Sequence, residues 1–213
     1  MTVKGPPAAF ILANTTLMAP PLVPEIRLHL ASELYPLWRM TDDQLAAEGV
    51  KPPYWAFAWA GGQALARYII DNPETVAGRY VLDAGSGSGL VALAAARSGA
   101  RVVVASDIDP LAGEAILLNA AVNDATIGLI GDDIIGESDH APDTLLIGDL
   151  FYEEPLASRV EAWGRKLAAA GTLVLIGDPG RSYFPKSGVE LLATYEVKTT
   201  RELEDNELRR TRV

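Results

Sequence analysis

From Tyr80 onward, short apolar runs rich in β-branched residues alternate with longer runs of helical character. The short runs predict five buried strands, at Tyr80–Ala84, Arg101–Ser106, Ile127–Ile130, Thr144–Gly148 and Thr172–Gly177. The longer runs predict helices at Gly89–Ser98, Pro110–Asn123, Glu154–Ala169 and, as a short piece, Ser187–Ala193. Strands that alternate with helices pair in parallel through right-handed crossovers, so we expect an α/β fold.

The tail, TYEVKTTRELEDNELRRTRV, has a more polar pattern and predicts two further strands. We expect these strands to pair antiparallel with each other at one edge of the sheet. Together with the five apolar runs they predict a Rossmann-like, seven-stranded sheet that is mostly parallel.

The first 75 residues predict a mainly helical extension. In EIRLHLASELYPLWRM, the apolar positions Ile26, Leu30, Leu34 and Leu37 lie near helical spacing, and Pro36 predicts a kink or a break. DDQLAAEG predicts another helix ending at Gly49, and a third is expected from about Gly62 to Ile70. Since 213 residues suit one buried domain, we predict a single domain over residues 1–213, with an extension (1–75) and a core (76–213).

The formal net charge of −10 argues against a general nucleic-acid binder, which needs a basic face to neutralise phosphates. An acidic surface instead attracts cationic partners. The absence of cysteine excludes disulfides, zinc-thiolate sites and thiol catalysis. We expect no metal site, because the only histidines are His29, expected on a helix face, and His140, expected in a polar loop.

The apolar run PPAAFILA (6–13) is short for a secretory signal and is bracketed by polar residues and paired prolines. No stretch approaches the length that a membrane-spanning helix requires. We therefore expect a cytoplasmic protein without a membrane partner.

The stretch VLDAGSGSGL (81–90) predicts a ligand-binding loop where the first core strand ends. In open α/β sheets, ligands bind beyond the carboxyl ends of the strands. Gly85 permits a tight turn, Gly87 lets a ligand lie against the main chain, and Gly89 allows close packing of the following helix.

The spacing of this loop distinguishes between classes of nucleotide ligand. A dinucleotide fingerprint requires glycine where Leu90 stands, and the Gly-Lys-Ser/Thr of a phosphate-binding P-loop is absent. Asp83 would repel a pyrophosphate but would favour a positively charged group. The pattern D-x-G-x-G-x-G is similar to that of seven-stranded methyltransferases that use S-adenosylmethionine, and a nicotinamide cofactor is the alternative.

Acidic residues also follow the second and third core strands. Asp107 ends the run VVVAS and is placed to accept both hydroxyls of a ribose, whereas Asp109 suits the N-cap of the helix that begins at Pro110. Asp132 and Asp133 follow the third strand, where such methyltransferases hold the adenine amino group. Either residue could do so, and a solvated turn is the alternative.

Asp149 and Tyr152 form a D-x-x-Y unit after the fourth core strand, on the same rim as the glycine loop. A carboxylate there could hold and orient an incoming amine beside a transferable methyl group. It would be too weak a base to remove the proton of the amine unaided. The structural alternative is that Asp149 is the N-cap of the helix Glu154–Ala169.

Five motifs in the same order resemble the lysine methyltransferases that modify the β-subunit of electron transfer flavoprotein. They extend from about Pro52 to Arg181 and read PPYWAFAWAGGQALARYIIDNP, VLDAGSGSG, ASDIDPLAGEAILLNA, GDLFYEE and LIGDPGR. VPEIRLHL near the start also resembles this family, whereas the similarity weakens after residue 182.

The resemblance implies a class I methyltransferase that converts S-adenosyl-L-methionine into S-adenosyl-L-homocysteine. It also implies which residues contact the cofactor, namely Trp59, Gly85, Ser86, Gly87, Asp107 and the backbone near Gly148. Asp149 and Tyr152 match the acidic-x-x-aromatic signature of the family and would be catalytic. Asp178 and Arg181 in GDPGR would contribute to acceptor docking, although a simple turn explains the same residues.

Three other interpretations remain open at this stage. One keeps the chemistry but changes the substrate to a ribosomal protein. A nicotinamide-dependent oxidoreductase is more distant, since Asp83 and Leu90 count against it. A non-catalytic module that only binds a partner is disfavoured by the combination of cofactor residues with Asp149 and Tyr152.

Overall fold

The computed structural model describes residues 6–31, 52–138, 141–198 and 208–213. Its N-terminal part begins with helix α1 (Pro7–Asn14), which is followed by the short strands β1 (Thr16–Met18) and β2 (Leu28–Leu30). The next long element is helix α2 (Ala60–Asp71). Strands β1 and β2 pair antiparallel in a small sheet of their own.

The helix expected from Glu25 onward is wrong where the structure describes it, because Leu28–Leu30 is a strand. Leu28 and Leu30 are buried and His29 between them is half-buried, which is the alternation of a strand. The backbone N–H of His29 donates to Asn119 Oδ1 at 2.7 Å, which ties this strand to a later helix. His29 therefore does not lie on a helix face.

Other expectations for this region, including the break at Pro36, the helix in DDQLAAEG and the loop position of His140, lie outside the described residues.

The core begins with strand β3 (Tyr80–Ala84), helix α3 (Leu90–Arg97), strand β4 (Val102–Ser106) and helix α4 (Pro110–Val122). It continues with β5 (Gly128–Ile130), β6 (Thr144–Gly148), α5 (Leu156–Ala169) and β7 (Leu173–Gly177). The five strands form one parallel sheet in the order β5-β4-β3-β6-β7. The predicted α/β class is confirmed, and the five predicted strands lie within one residue of their observed ends.

Helices cover both faces of this sheet. Neighbouring residues of β6 point in opposite directions, since Leu146 packs in the cluster that contains α2 and α3, whereas Leu145 packs in the cluster that contains α5. A parallel strand that is buried on both faces has few polar positions, which explains the continuous apolar runs of the sequence. None of the helices in the described part of the chain is long and apolar enough to cross a membrane.

The predicted antiparallel edge pair is confirmed as β8 (Thr194–Lys198) and β9 (Leu208–Arg212). Among the described residues, this hairpin is connected to the five-stranded sheet by a single bridge between Asp178 and Arg212. The seven predicted strands are thus present, five in the parallel sheet and two in the separate antiparallel pair.

The short helix expected at Ser187–Ala193 is wrong. Gly188 has a φ of +73°, and the backbone N–H groups of Leu192 and Ala193 both donate to the carbonyl of Val213. This segment is extended toward β8 because the C-terminal residue takes up the hydrogen bonds that a helix would have used.

The order of the strands positions the functional site. The chain proceeds from β3 toward β5 on one side of the sheet and from β6 to β7 on the other, so the strand order reverses between β3 and β6. In such sheets the loops at the carboxyl ends diverge at this point and leave a crevice for a ligand. The glycine loop follows β3 and the D-x-x-Y unit follows β6.

Candidate active site

A cavity of about 650 Å³ opens at the carboxyl ends of β3, β4 and β6. Its volume lies in the range of pockets that hold cofactors and drug-sized ligands. The cavity brings together eleven of the twelve site residues expected from the sequence: Trp59, Asp83, Gly85, Ser86, Gly87, Asp107, Asp132, Asp133, Gly148, Asp149 and Tyr152. Gly89 is the one that does not line it.

The three glycines of the loop have positive φ angles of +62°, +55° and +83°. A β-carbon at Gly85 would lie 2.5 Å from the side chain of Leu150. At Gly87 the nearest atom to such a β-carbon would be 3.7 Å away, which leaves its backbone accessible. Gly89 is the N-cap of α3 and packs against Ile116 of α4, so it shapes the loop without facing a ligand.

Asp83 holds the loop from inside. Its Oδ2 accepts hydrogen bonds from Ser86 Oγ at 2.5 Å and from the backbone N–H of Ala92 at 3.0 Å. Burial raises the pKa of this carboxyl to about 7. A positive charge in the neighbouring cavity would favour its ionised form, whereas an anionic pyrophosphate would oppose it.

Asp107 is oriented by two backbone donors. Its Oδ2 accepts from the N–H of Gly87 and its Oδ1 from the N–H of Asp109, each at 2.9 Å. Each carboxylate oxygen has a second lone pair that could accept a ribose hydroxyl. The N-cap expected at Asp109 is confirmed, because its Oδ1 accepts from the N–H of Leu111 at 2.9 Å.

The two acidic residues after β5 differ in their contacts. Asp133 accepts a hydrogen bond from Arg159 Nη2 at 2.8 Å and another from the N–H of Ile135 at 3.1 Å. Within the described part of the chain, the Asp132 carboxylate has no such partner, so it is the better placed of the two to accept from an adenine amino group.

Asp149 lies at the centre of the acceptor side. Its Oδ2 accepts from the N–H of Gly62 at 2.8 Å, and its Oδ1 accepts from Arg181 Nη2 at 2.8 Å. Its φ of +58° is unusual for a non-glycine residue and directs the carboxylate back toward α2. Burial raises its pKa to about 6, and the charge of Arg181 opposes that shift.

The alternative role of Asp149 as N-cap of the helix after it is wrong. Helix α5 begins at Leu156, its N-cap residue is Pro155, and the N–H of Ser158 in its first turn donates to Glu154 rather than to Asp149. Asp149 instead accepts from the third residue of α2, which precedes it by 87 positions. A carboxylate at a helix N-terminus is favoured by the free N–H groups and by the helix dipole.

Glycines allow this contact, because α2 meets the ends of β6 and β7 backbone against backbone. A β-carbon on Gly61 would collide with the carbonyl of Gly177 and would lie 2.6 Å from Asp149 Oδ2. Gly148 approaches Gly62 in the same way, with 3.3 Å between its virtual β-carbon and the Cα of Gly62.

Gly61→Ala should therefore lower the free energy of unfolding by about 1–3 kcal/mol, the usual cost of overpacking. Gly62→Ala is the matched control, because its β-carbon would meet only Val91 at an ordinary 3.8 Å. Urea denaturation followed by circular dichroism measures both. Equal midpoints for the two variants would contradict the proposed close approach.

Aromatic side chains form the rim next to Asp149. The ring centroid of Tyr54 lies 6.0 Å from that of Trp59 and 5.8 Å from that of Tyr152. Trp59 Nε1 donates to the carbonyl of Tyr54 at 2.8 Å, which fixes the indole. Burial and the nearby Glu153 raise the pKa of Tyr152 to about 12, so its phenol stays protonated and can donate a hydrogen bond.

The GDPGR turn contributes to the site through both residues that were expected there. Asp178 Oδ1 accepts from the N–H groups of Gly180 and Arg181, at 2.6 and 2.7 Å, and so closes the turn. The Arg181 side chain then reaches across to Asp149. The structural explanation of Asp178 and a role of Arg181 in the site are therefore compatible.

Sequence reasoning missed Tyr54 and Arg159. Tyr54 stands in an aromatic-rich stretch and is half exposed at the rim, whereas the adjacent Trp55 is buried. The one sequence feature that could have indicated an exposed position for Tyr54 is its place directly after two prolines and before the start of α2. Arg159 gave no signal, since its pairing with Asp133 depends on the packing of α5.

Comparisons with known proteins agree with this geometry. A family model described as ribosomal protein L11 methyltransferase matches residues 64–140. The electron transfer flavoprotein beta subunit lysine methyltransferase of Xenopus laevis is 43% identical over 180 residues, which cover 84% of this chain and 72% of that protein. The protein of the same name from Homo sapiens is 40% identical over 185 residues, 85% of this chain and 70% of that one.

Among solved structures, the magnesium protoporphyrin IX methyltransferase of Synechocystis, with S-adenosylmethionine bound, superposes with a TM-score of 0.51 at 16% identity. The match covers 71% of this chain and 76% of that one and shows the shared fold. Identity above 40% over more than four fifths of the chain goes further than the fold. The chain belongs to the electron transfer flavoprotein beta subunit lysine methyltransferases, a family of S-adenosylmethionine-dependent protein-lysine methyltransferases.

Proposed function

We propose that this enzyme methylates lysine side chains on the β-subunit of electron transfer flavoprotein. The observation that carries the proposal is the 43% identity, over 84% of the chain, to a relative named for that activity. A contiguous match over 84% of 213 residues spans the D-x-x-Y unit as well as the glycine loop, so it extends to the side of the cavity where the acceptor would enter.

The residues of the cavity fit S-adenosylmethionine better than a dinucleotide. Gly87 offers an accessible backbone, Asp107 is held with its carboxylate at the end of β4, and the acidic Asp83 lies behind the loop. Carboxylates suit the positive charge and the ribose hydroxyls of that ligand. When bound, S-adenosylmethionine supplies an electrophilic methyl group on a sulfonium.

The acceptor side must present a neutral amine to that methyl group. A free lysine has a pKa near 10.4, so neutrality at pH 7 costs about 3.4 pH units, or about 4.6 kcal/mol. Asp149, with a pKa of about 6, is mostly ionised at pH 7 and can hold the amine by a charge-assisted hydrogen bond.

Asp149 remains too weak a base to keep the lysine proton, which is released to water as the amine enters the apolar rim. Desolvation by Tyr54, Trp59 and Tyr152 lowers the pKa of the amine in this position. Orientation of the amine toward the methyl group supplies much of the remaining rate enhancement.

The charge of the whole chain also favours a basic protein surface as acceptor. A formal net charge of −10 increases the rate of encounter with a lysine-rich face and does not suit a polyanion. A ribosomal protein remains the second candidate because of the family match at residues 64–140. That segment contains the glycine loop and Asp107 but not Asp149, so it reports the cofactor half of the site.

The test is methyl transfer from tritiated S-adenosylmethionine to the purified β-subunit, with ribosomal protein L11 at the same concentration as the comparison. We expect label in the β-subunit and methyl-lysine in its peptides by mass spectrometry. A β-subunit whose lysines were blocked beforehand by acetylation, which removes the nucleophilic lone pair, should stay unlabelled. Label in L11 with none in the β-subunit would contradict the proposal.

A further inference from the structure

Arg181 occupies a cation site at the acceptor side of the cavity. Its Nη2 donates to Asp149 Oδ1 at 2.8 Å, and its guanidinium carbon lies 5.8 Å from the ring centroid of Trp59. A carboxylate combined with an aromatic face is the environment that an alkylammonium group also favours. The arginine therefore has the two contacts that an acceptor lysine would need.

Both carboxylate oxygens of Asp149 already accept a hydrogen bond. Its Oδ2 accepts from the N–H of Gly62 and lies toward α2, whereas Oδ1 is the oxygen that Arg181 contacts. The Asp149 side chain is only 9% exposed, and the Arg181 guanidinium takes up its Oδ1. An ammonium at Oδ1 would lie directly beside a like charge.

The Arg181 side chain lies at the mouth of the cavity. Its backbone is fixed by the Asp178 turn, and its side chain is 20% exposed and donates to Asp149 through Nη2. Because a guanidinium does not lose its proton, it cannot relieve the repulsion by becoming neutral. It relieves the repulsion by moving.

We propose that Arg181 holds the cation site between Asp149 and Trp59 while no acceptor is bound, and yields this site to the lysine ε-ammonium. This inference rests on the proposed lysine methylation and assigns Arg181 as a positioning residue of the same site. The resident arginine keeps the Asp149 carboxylate ionised and oriented, and an acceptor must displace it before methyl transfer.

Removal of the Arg181 side chain should change acceptor binding in two opposing ways. Removing the arginine abolishes the competition for Asp149, which lowers the KM for the acceptor. It also removes the charge that favours the ionised carboxylate, so the pKa of Asp149 rises above its present value of about 6. Among the described residues, the charge of Asp178, on the same turn as Arg181, also raises the pKa of Asp149, and the Gly62 N–H of α2 donates to it. Tyr152 lines the same cavity.

The first experiment compares the KM for the β-subunit in the wild type, Arg181→Met and Arg181→Lys. At pH 9, well above the wild-type Asp149 pKa of about 6, we expect Arg181→Met to lower KM about five- to tenfold. The size of the change depends on the small fraction of time that Arg181 leaves the site in the wild type. Arg181→Lys, which keeps the positive charge, should lie between the two. The change in KM should exceed any change in kcat.

As the pH falls toward 6, this advantage should shrink and then reverse, because Asp149 takes up its proton at a higher pH in Arg181→Met. The acceptor lysine titrates equally in both reactions, so it cancels from the ratio of KM values. The control is Arg165→Met, which removes an exposed arginine that pairs with Glu161 on α5, outside the cavity. Its KM ratio should stay at one across this range.

The second experiment does not depend on the identity of the acceptor. Binding of n-butylammonium at pH 9 is measured by saturation-transfer NMR with wild type and Arg181→Met, and we expect the variant to bind it at least about fivefold more tightly. Equal affinity would overturn the proposal even if the β-subunit is methylated. Methylation of another protein, with tighter n-butylammonium binding in the variant, would refute the proposed substrate alone.

Discussion

Asp149→Asn should lower kcat/KM for methyl transfer by about two orders of magnitude and leave the affinity for S-adenosylmethionine within about threefold. The substitution removes the charge that holds the acceptor amine, and a hydrogen bond to a charged group contributes about 1.5–3 kcal/mol. The amide group also brings N–H donors toward the Gly62 N–H and Arg181, which both donate to Asp149 now. The acceptor would lose both its attraction and its orientation.

Single-turnover methylation of the β-subunit, with cofactor affinity measured separately by calorimetry, checks this expectation. Glu154→Gln is the matched control, since it neutralises a carboxylate five residues further along the same loop, whose hydrogen bonds within the described part of the chain go to Ser158. This control should retain activity within about twofold. Equal activities for Asp149→Asn and the wild type would remove Asp149 from the acceptor site.

The parallel sheet and the donor side of the cavity could be predicted from the sequence because their determinants are local. A strand that is buried on both faces requires an apolar run, and the glycine loop, Asp107 and Asp109 all lie between residues 81 and 109. The N-cap at Asp109 followed from the adjacent Pro110 alone. Pattern and proximity along the chain were enough for these features.

The sequence was enough to predict Asp149 as a residue of the acceptor side, but it was not enough to predict which residues contact it. The D-x-x-Y unit predicted Asp149 as a site residue, yet its two partners are 87 positions before it and 32 positions after it. The local alternative, a cap for the next helix, was therefore as reasonable as the true contact with α2. Only the close approach of Gly61, Gly148 and Gly177 makes that contact possible, and it depends on the packing of three elements.

The errors at the periphery have the same physical origin. Leu28–Leu30 had apolar residues at a spacing that suits a helix, but two sets of contacts stabilise a strand there. The segment pairs with β1, and the backbone N–H groups of Arg27 and His29 donate to Asn123, the C-cap of α4, and to Asn119 of α4. The segment before β8 is likewise extended because Val213 pairs with it. In both places a residue far away in the sequence satisfies the backbone and overrides the local preference.

Asp107 has the largest expected effect on the donor side. Asp107→Asn should weaken S-adenosylmethionine binding about 100-fold, while the free energy of unfolding changes by less than about 1 kcal/mol. The variant would replace the two charge-assisted hydrogen bonds that we expect between Asp107 and the ribose hydroxyls by weaker neutral ones, and a loss of about 3 kcal/mol corresponds to that factor. The amide can also accept from only one of the two N–H groups, those of Gly87 and Asp109, that now orient the carboxylate.

Calorimetric titration with S-adenosylmethionine measures the effect, and Asp109→Asn is the sharpest control. Asparagine caps a helix as well as aspartate does, so this control keeps α4 intact while it removes a carboxylate two residues away on the same cavity wall. We expect the control to bind the cofactor within about threefold of the wild type. If the two substitutions weaken binding equally, the ribose is not held by Asp107 in particular, and the acidic character of the wall accounts for the cofactor preference.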